Sequence, residues 1–116
     1  MHNTYSPLRD KYPEADITLT LKELLYYTVS LSDNNTCDIL FNYVGGTEKV
    51  DSYIRSLGIE RFSIAATEKE MHTHFPSQYL NWTTPAAAVE LMELFLSGSL
   101  FTPPYQDLLY TLLTET

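Results

Sequence analysis

Four groups of side chains in this 116-residue sequence are of types that do chemistry. Ser32-Asp33-Asn34 sets a hydroxyl, a carboxylate and an amide on consecutive residues. Short polar side chains of this kind also open helices, accepting from the free N–H groups of a first turn. Glu68 and Glu70 stand beside His72 and His74, an arrangement that invites a zinc reading. No H-E-x-x-H and no cysteine cluster completes such a centre, so the histidines read as solvated loop residues and no metal is expected. Cys37 is the single cysteine, which rules out an internal disulfide. On an apolar helix face it reads as a small buried hydrophobe and not as a nucleophile. Neither G-x-x-x-x-G-K-[ST] nor G-x-G-x-x-G occurs, so the sequence implies no nucleotide or dinucleotide cofactor, and no cofactor is expected.

The elements that must position these groups are helical. Thr20-Leu21-Lys22-Glu23 has the S/T-x-x-E form of a capping box. Behind it Leu21, Leu24, Leu25 and Thr28 follow the i, i+3, i+4, i+7 spacing of one buried face. Cys37, Leu40, Phe41 and Val44 repeat the spacing, and Gly45-Gly46 supplies a left-handed stop. Thr47 is then expected to cap a helix carrying Val50, Tyr53, Ile54 and Leu57, closed by Gly58. Thr84-Pro85 and Thr102-Pro103 each place a hydroxyl at an N-cap and proline at the first helical position. The first of these helices carries Ala88, Leu91, Met92 and Phe95, the second Leu108, Leu109, Leu112 and Leu113. No segment alternates convincingly enough to predict a paired strand. Between Gly58 and Thr84, residues 59–83 show weak periodicity but hold Met71, Phe75, Tyr79, Leu80 and Trp82 as apolar anchors. An ordered, packed loop of functional type is expected there.

Seven basic against fifteen acidic residues give a net charge of −8. That balance argues against a nucleic-acid partner, whose phosphates need a basic face, and against docking on anionic lipid. At 44% hydrophobic and 19% charged the composition suits one globular core. No apolar run reaches the roughly 20 residues that span a bilayer. The start, Met1-His2-Asn3-Thr4-Tyr5, lacks the basic and apolar regions of a signal peptide.

Taken in order, Tyr5-Ser6-Pro7, Thr20-Leu21-Lys22-Glu23-Leu24, Ser32-Asp33-Asn34, Gly45-Gly46, Leu57-Gly58, Asn81 and Thr84-Pro85-Ala86-Ala87 resemble the helical domain of a class A serine β-lactamase over nearly the whole chain. The likeness is greatest to the branch with a longer active-site loop, rich in cephalosporinases. It implies an all-α fold, the helical domain of the β-lactamase and penicillin-binding-protein fold, with about five helices and a long ordered loop at about 59–83. It also implies roles. Ser32 passes a proton toward the leaving β-lactam nitrogen; Asn34 holds the substrate's side-chain carbonyl; Asp33 braces the local backbone; Tyr5 lies at the mouth of the site. Glu68 matches the general base that activates the deacylating water, and Asn81 the asparagine that helps hold that water. Thirteen positions separate those two, where the family's common spacing is a few, so Glu70 is a rival for the base. The two glycosylation sequons, at Asn34 and Asn81, coincide with these motif positions and read as chance.

None of the nine serines has a lysine three residues on, and none of the four lysines opens K-T-G. The resemblance therefore implies that residues 1–116 are a single all-α domain cut from a two-domain enzyme, inactive alone, with the nucleophile and the α/β domain elsewhere. Its parent would be periplasmic or secreted and take a β-lactam as substrate. The face turned to the absent α/β domain is expected to drive self-association. The competing readings are a domain of a penicillin-binding transpeptidase and a free-standing acidic helical interaction module.

Overall fold

The computed structural model describes residues 4–13 and 17–115; Met1, His2 and Asn3, on which part of the signal-peptide expectation falls, lie outside the described residues. Its elements are α1 (Pro7–Lys11), α2 (Leu21–Leu31), α3 (Asn34–Val44), α4 (Thr47–Ser56), β1 (Phe62–Ser63), α5 (Glu68–Thr73), a 3₁₀ turn (Phe75–Leu80), β2 (Trp82–Thr83), α6 (Pro85–Leu96) and α7 (Pro103–Thr114). The predominantly helical architecture follows the expectation, and all five expected helices are present as α2, α3, α4, α6 and α7.

Local chemistry explains the boundaries. The Thr20 side chain accepts from Glu23 N–H at 3.1 Å while the Glu23 carboxylate accepts from Thr20 N–H, closing the capping box. Gly45, at φ +106°, ends α3 in the left-handed region that only glycine enters freely. Thr84 accepts from Ala87 N–H at 3.2 Å, with Pro85 behind it at the head of α6. Thr47 departs from expectation. Gly46 is the N-cap of α4, and the Thr47 hydroxyl instead donates to Ala65 O at 3.1 Å.

Two short helices and a strand pair were not foreseen. Ser6 caps α1, accepting from Arg9 N–H, with Pro7 at the first helical position. Residues 59–83 are ordered as expected but hold real elements: β1 pairs antiparallel with β2, Phe62 opposite Thr83 and Ser63 opposite Trp82, and α5 lies between them.

Ile59, Phe62 and Ala87 are buried as a small core, with Ile54, Ile64, Leu91 and Leu94 packed on it. Elsewhere α7 is locked down by two side-chain bonds, Ser30 Oγ donating to Leu112 O and Gln106 Nε2 to Phe95 O, both 2.7 Å. The apolar stripes read from the sequence are only half covered. Leu21, Val44, Met92 and Tyr53 are exposed, and the deeply buried residues of α3 are the polar Asn35 and Thr36. Of the expected apolar anchors of the loop, Phe75, Tyr79, Leu80 and Trp82 are more than half exposed. Phe75 and Tyr79 form an edge-on pair, while Trp82 lies on the wall of a cavity. The radius of gyration, 14.9 Å, exceeds the roughly 13 Å of a compact domain this long. The surplus fits an apolar trough left open along α3. It comprises a cavity of about 440 Å³ bounded by Phe41, Ile54, Phe62, Glu68 and Leu91, and one of about 310 Å³ bounded by Leu21, Leu25, Leu40 and Val44. Cys37 and Phe41 line both.

Candidate functional site

Ser32 and Asp33 form the corner between α2 and α3. The N–H groups of both return to Tyr27 O, and Ser32 sits at φ 56°, ψ 37°. It is the one non-glycine residue at positive φ among the described residues. A serine held there carries roughly 1–2 kcal/mol of backbone strain, and such strain collects where a side chain must be aimed. Its side chain is exposed.

Asp33 supplies the restraint. Its carboxylate is buried and accepts from Ser6 Oγ at 2.8 Å, Leu8 N–H at 2.8 Å and Thr36 N–H at 2.9 Å. Three donors thus satisfy the buried charge, cap α3 and tie the residues before α1 to the corner. That arrangement seats Tyr5 beside Asn34: Tyr5 O accepts from Asn34 N–H at 3.1 Å and from its Nδ2 at 3.0 Å. Asn34 keeps its amide oxygen and one Nδ2 hydrogen for other partners. The Tyr5 ring stands exposed at this edge.

Glu68 comes to the same helix from 30 residues away. Asn34 and Asp38 lie four residues apart on one face of α3, about 6 Å along its axis. The Asp38 carboxylate accepts from Glu68 N–H at 2.8 Å and from Lys69 N–H at 2.9 Å. It therefore caps α5 from outside, and Glu68, the first residue of that helix, is half-buried on the wall of the 440 Å³ cavity. Asp38 is a residue that sequence reasoning missed. A lone aspartate on a helix carries no signal of a partner so far along the chain.

The two glutamates separate cleanly. The Glu70 carboxylate accepts from Thr67 Oγ1 at 3.1 Å and Thr67 N–H at 3.4 Å, completing the capping box of α5, and its side chain is exposed. Glu68 alone of the pair lines the cavity. Asn81 needs a correction. Its Oδ1 accepts from Ala65 N–H (2.7 Å) and Ala66 N–H (2.9 Å), and its Nδ2 donates to Ala66 O (2.9 Å) and Met71 Sδ (3.5 Å). A side-chain amide has two lone pairs and two hydrogens. All four are engaged in closing the neck of the loop, so the water-holding role expected from the resemblance does not fit the geometry.

Cys37 stands on the cavity wall with Glu68. Burial, reinforced by the charges of Glu68, Asp38 and Asp33, pushes its thiol up to about 12. The thiol is neutral at physiological pH, consistent with its reading as a hydrophobe and not a nucleophile. Among the described residues no group of three or more His, Cys, Asp or Glu could hold a metal ion, and no helix is long and apolar enough to cross a membrane.

Comparison with known proteins extends the likeness over the whole chain. A family model described as the beta-lactamase enzyme family matches residues 5–116. A beta-lactamase of Bacteroides uniformis is 44% identical over 98% of this chain and 39% of its own length. The extended-spectrum beta-lactamase PER-1 of Pseudomonas aeruginosa is 35% identical over 100% of this chain and 38% of its own. Among solved structures, the TLA-1 extended-spectrum beta-lactamase superposes with a TM-score of 0.96 at 49% identity, covering all of this chain and 42% of that one. A class A beta-lactamase from Bacteroides cellulosilyticus gives 0.95 at 52%, with the same coverage. The chain thus spans about two fifths of the relatives it matches. On that likeness and its helical layout, the chain belongs to the beta-lactamase enzyme family and has the fold of the class A helical domain.

Proposed function

We propose that residues 1–116 are the helical domain of a two-domain, exported serine β-lactamase, and that they supply the deacylation half of its site. The serine that becomes acylated and the α/β domain lie outside these residues. In this reading Glu68 takes a proton from the water that attacks the acyl-enzyme ester. Ser32 relays a proton toward the β-lactam nitrogen, Asn34 donates from its open Nδ2 hydrogen to the substrate's side-chain carbonyl, and Tyr5 borders the entrance. Asp33 braces Ser32 and Asn34. Asn81 closes the loop neck in place of the water role.

The observation that carries the reading is Glu68 on the cavity wall, its backbone N–H held by Asp38 on the helix that also bears Asn34. An ester persists unless a positioned base activates water, and such a base contributes about 10²–10⁴-fold. In the full-length enzyme Glu68→Gln is expected to slow deacylation by about that factor. The acyl-enzyme then accumulates and is visible by intact-mass spectrometry, while Glu70→Gln deacylates normally. Unchanged turnover in Glu68→Gln would sink the assignment. An enzyme already stalled as acyl-enzyme before mutation would mark a transpeptidase instead.

The open trough supports a second expectation. Contiguous apolar surface of this kind is rarely left bare by a monomer. The 116-residue chain alone is expected to self-associate as its concentration rises and to leave a chromogenic cephalosporin intact. Light scattering that shows only monomer at high concentration counts against the first; turnover by the repurified chain that Glu68→Gln abolishes counts against the second.

A further inference from the structure

We propose that the polar face of α4 is a positioning device for Glu68, with Thr47, Asp51 and Arg55 setting the register of the chain that leads into the loop; this rests on the reading of Glu68 as the deacylation base. The three residues recur every four positions, so they share one face of α4. Each bonds to the backbone of residues 60–65. Thr47 Oγ1 donates to Ala65 O at 3.1 Å, and Asp51 Oδ2 accepts from Ile64 N–H at 2.9 Å. Arg55 donates to Glu60 O at 3.0 Å and to Phe62 O at 2.7 Å. The order is antiparallel: the start of α4 holds the far end of the segment and the end of α4 holds the near end.

The spacing suits the task. The eight helical steps from Thr47 to Arg55 rise about 12 Å. The extended chain from Phe62 to Ala65 covers about 10 Å. One helix face therefore reaches along the edge of β1 that β2 leaves unpaired, and its side chains replace a strand there. Arg55 and Asp51 are fixed to each other by a 2.6 Å ion pair, and the guanidinium lies 4.5 Å from the centre of the Phe62 ring. Phe62 is in turn buried in the small core. The ladder is thus anchored on both flanks.

Little slack separates it from the base. Thr47 grips Ala65, and Glu68 follows three residues later, a reach of at most about 10 Å. Within that reach Ala66 is buried and bound at both its N–H and its C=O by Asn81, and Asp38 fixes Glu68 N–H. A shift of β1 along α4 is passed directly to the Glu68 backbone. In this reading the register serves the water-activating step, so its loss is expected to slow deacylation more than acylation. Thr47, Asp51 and Arg55 do not line the cavity that Glu68 borders, so they act as positioning residues through the chain that leads to it.

The test is a rate split in the full-length enzyme. Arg55→Met is expected to slow deacylation about tenfold and Thr47→Val about threefold. Acylation should stay within twofold, and the steady-state acyl-enzyme fraction should rise by mass spectrometry. Arg55→Lys, which keeps a donor for one carbonyl, should recover part of the loss. Equal losses in both steps, or none in either, would overturn the inference. Should Arg55→Met fail to fold, Thr47→Val, which removes a single hydroxyl, decides the matter. Glu68→Gln in parallel separates the two claims. If it deacylates normally the base assignment falls with the inference; if it stalls while the ladder variants deacylate normally, the inference alone falls.

Discussion

Around Glu68 the backbone polar groups of Ile64, Ala65, Ala66, Glu68 and Lys69 find side-chain partners in Asp51, Thr47, Asn81 and Asp38, whereas along α2 and α3 the apolar stripes face an open trough. The two regions meet at Cys37 and Phe41. Their difference separates two kinds of stabilisation. Hydrogen bonds are directional and must be completed close to home, or a buried donor is left orphaned at about 1–3 kcal/mol. Apolar burial is non-directional, so a face can wait for a surface supplied from elsewhere. The loop is finished by this chain; the trough is not.

The sharpest way to break the comparison is to damage the finished side. Asp33→Ala orphans Ser6 Oγ, Leu8 N–H and Thr36 N–H together, and is expected to cost about 3–5 kcal/mol. That is a large share of the roughly 5–15 kcal/mol that holds a domain together. Urea unfolding would report it; a loss under about 1 kcal/mol would mean the corner relaxes or hydrates at little cost.

The two sides can also be weighed against each other with one substitution. Phe62 borders the larger cavity but is itself buried in the small core, whereas Phe41 is half-buried and lines both cavities of the trough. Phe62→Ala should destabilise by about 3–4 kcal/mol and Phe41→Ala by about 1–2, because a side chain already half open to water loses less on truncation. Equal losses would show the trough covered in solution, as by a second copy.

A smaller effect probes the α4 ladder by pH. Hydrogen bonds from Arg55 and then from Ile64 N–H hold the Asp51 carboxyl below its ordinary value. The stabilisation it gives is present above the unfolded value near 3.9 and disappears as pH falls through the lower folded value. Stability is therefore expected to be level in this respect from pH 7 to about 5 and to decline below about 4, with a shallower acid limb in Asp51→Asn. Superimposable acid limbs would remove Asp51 from the account.

Much of this was legible beforehand, and the gaps have physical reasons. Thr20–Glu23, Thr84-Pro85 and Gly45 announce α2, α6 and the end of α3 because their signals are local. The same capping box at Thr67–Glu70 and the same Ser-Pro device at Ser6-Pro7 went unread, since α5 and α1 are too short for an apolar period to reinforce them. The β1–β2 ladder is two residues long and is held partly by α4 side chains, so no alternation betrays it. The S-D-N corner could be located from sequence, but the functions of Asp38 and Asn81 could not. Each is defined by partners 10–31 residues away, and a resemblance assigned Asn81 to water where the folded chain engages it chiefly with backbone.

The left-handed Ser32 has a consequence for anyone who sets out to evolve this protein. Ser32→Gly would relieve its backbone strain while deleting the hydroxyl that the proposed chemistry uses. Selection for heat tolerance and selection for survival on a β-lactam would thus pull this position in opposite directions. A library screened only by melting temperature would enrich a variant that the antibiotic plate discards.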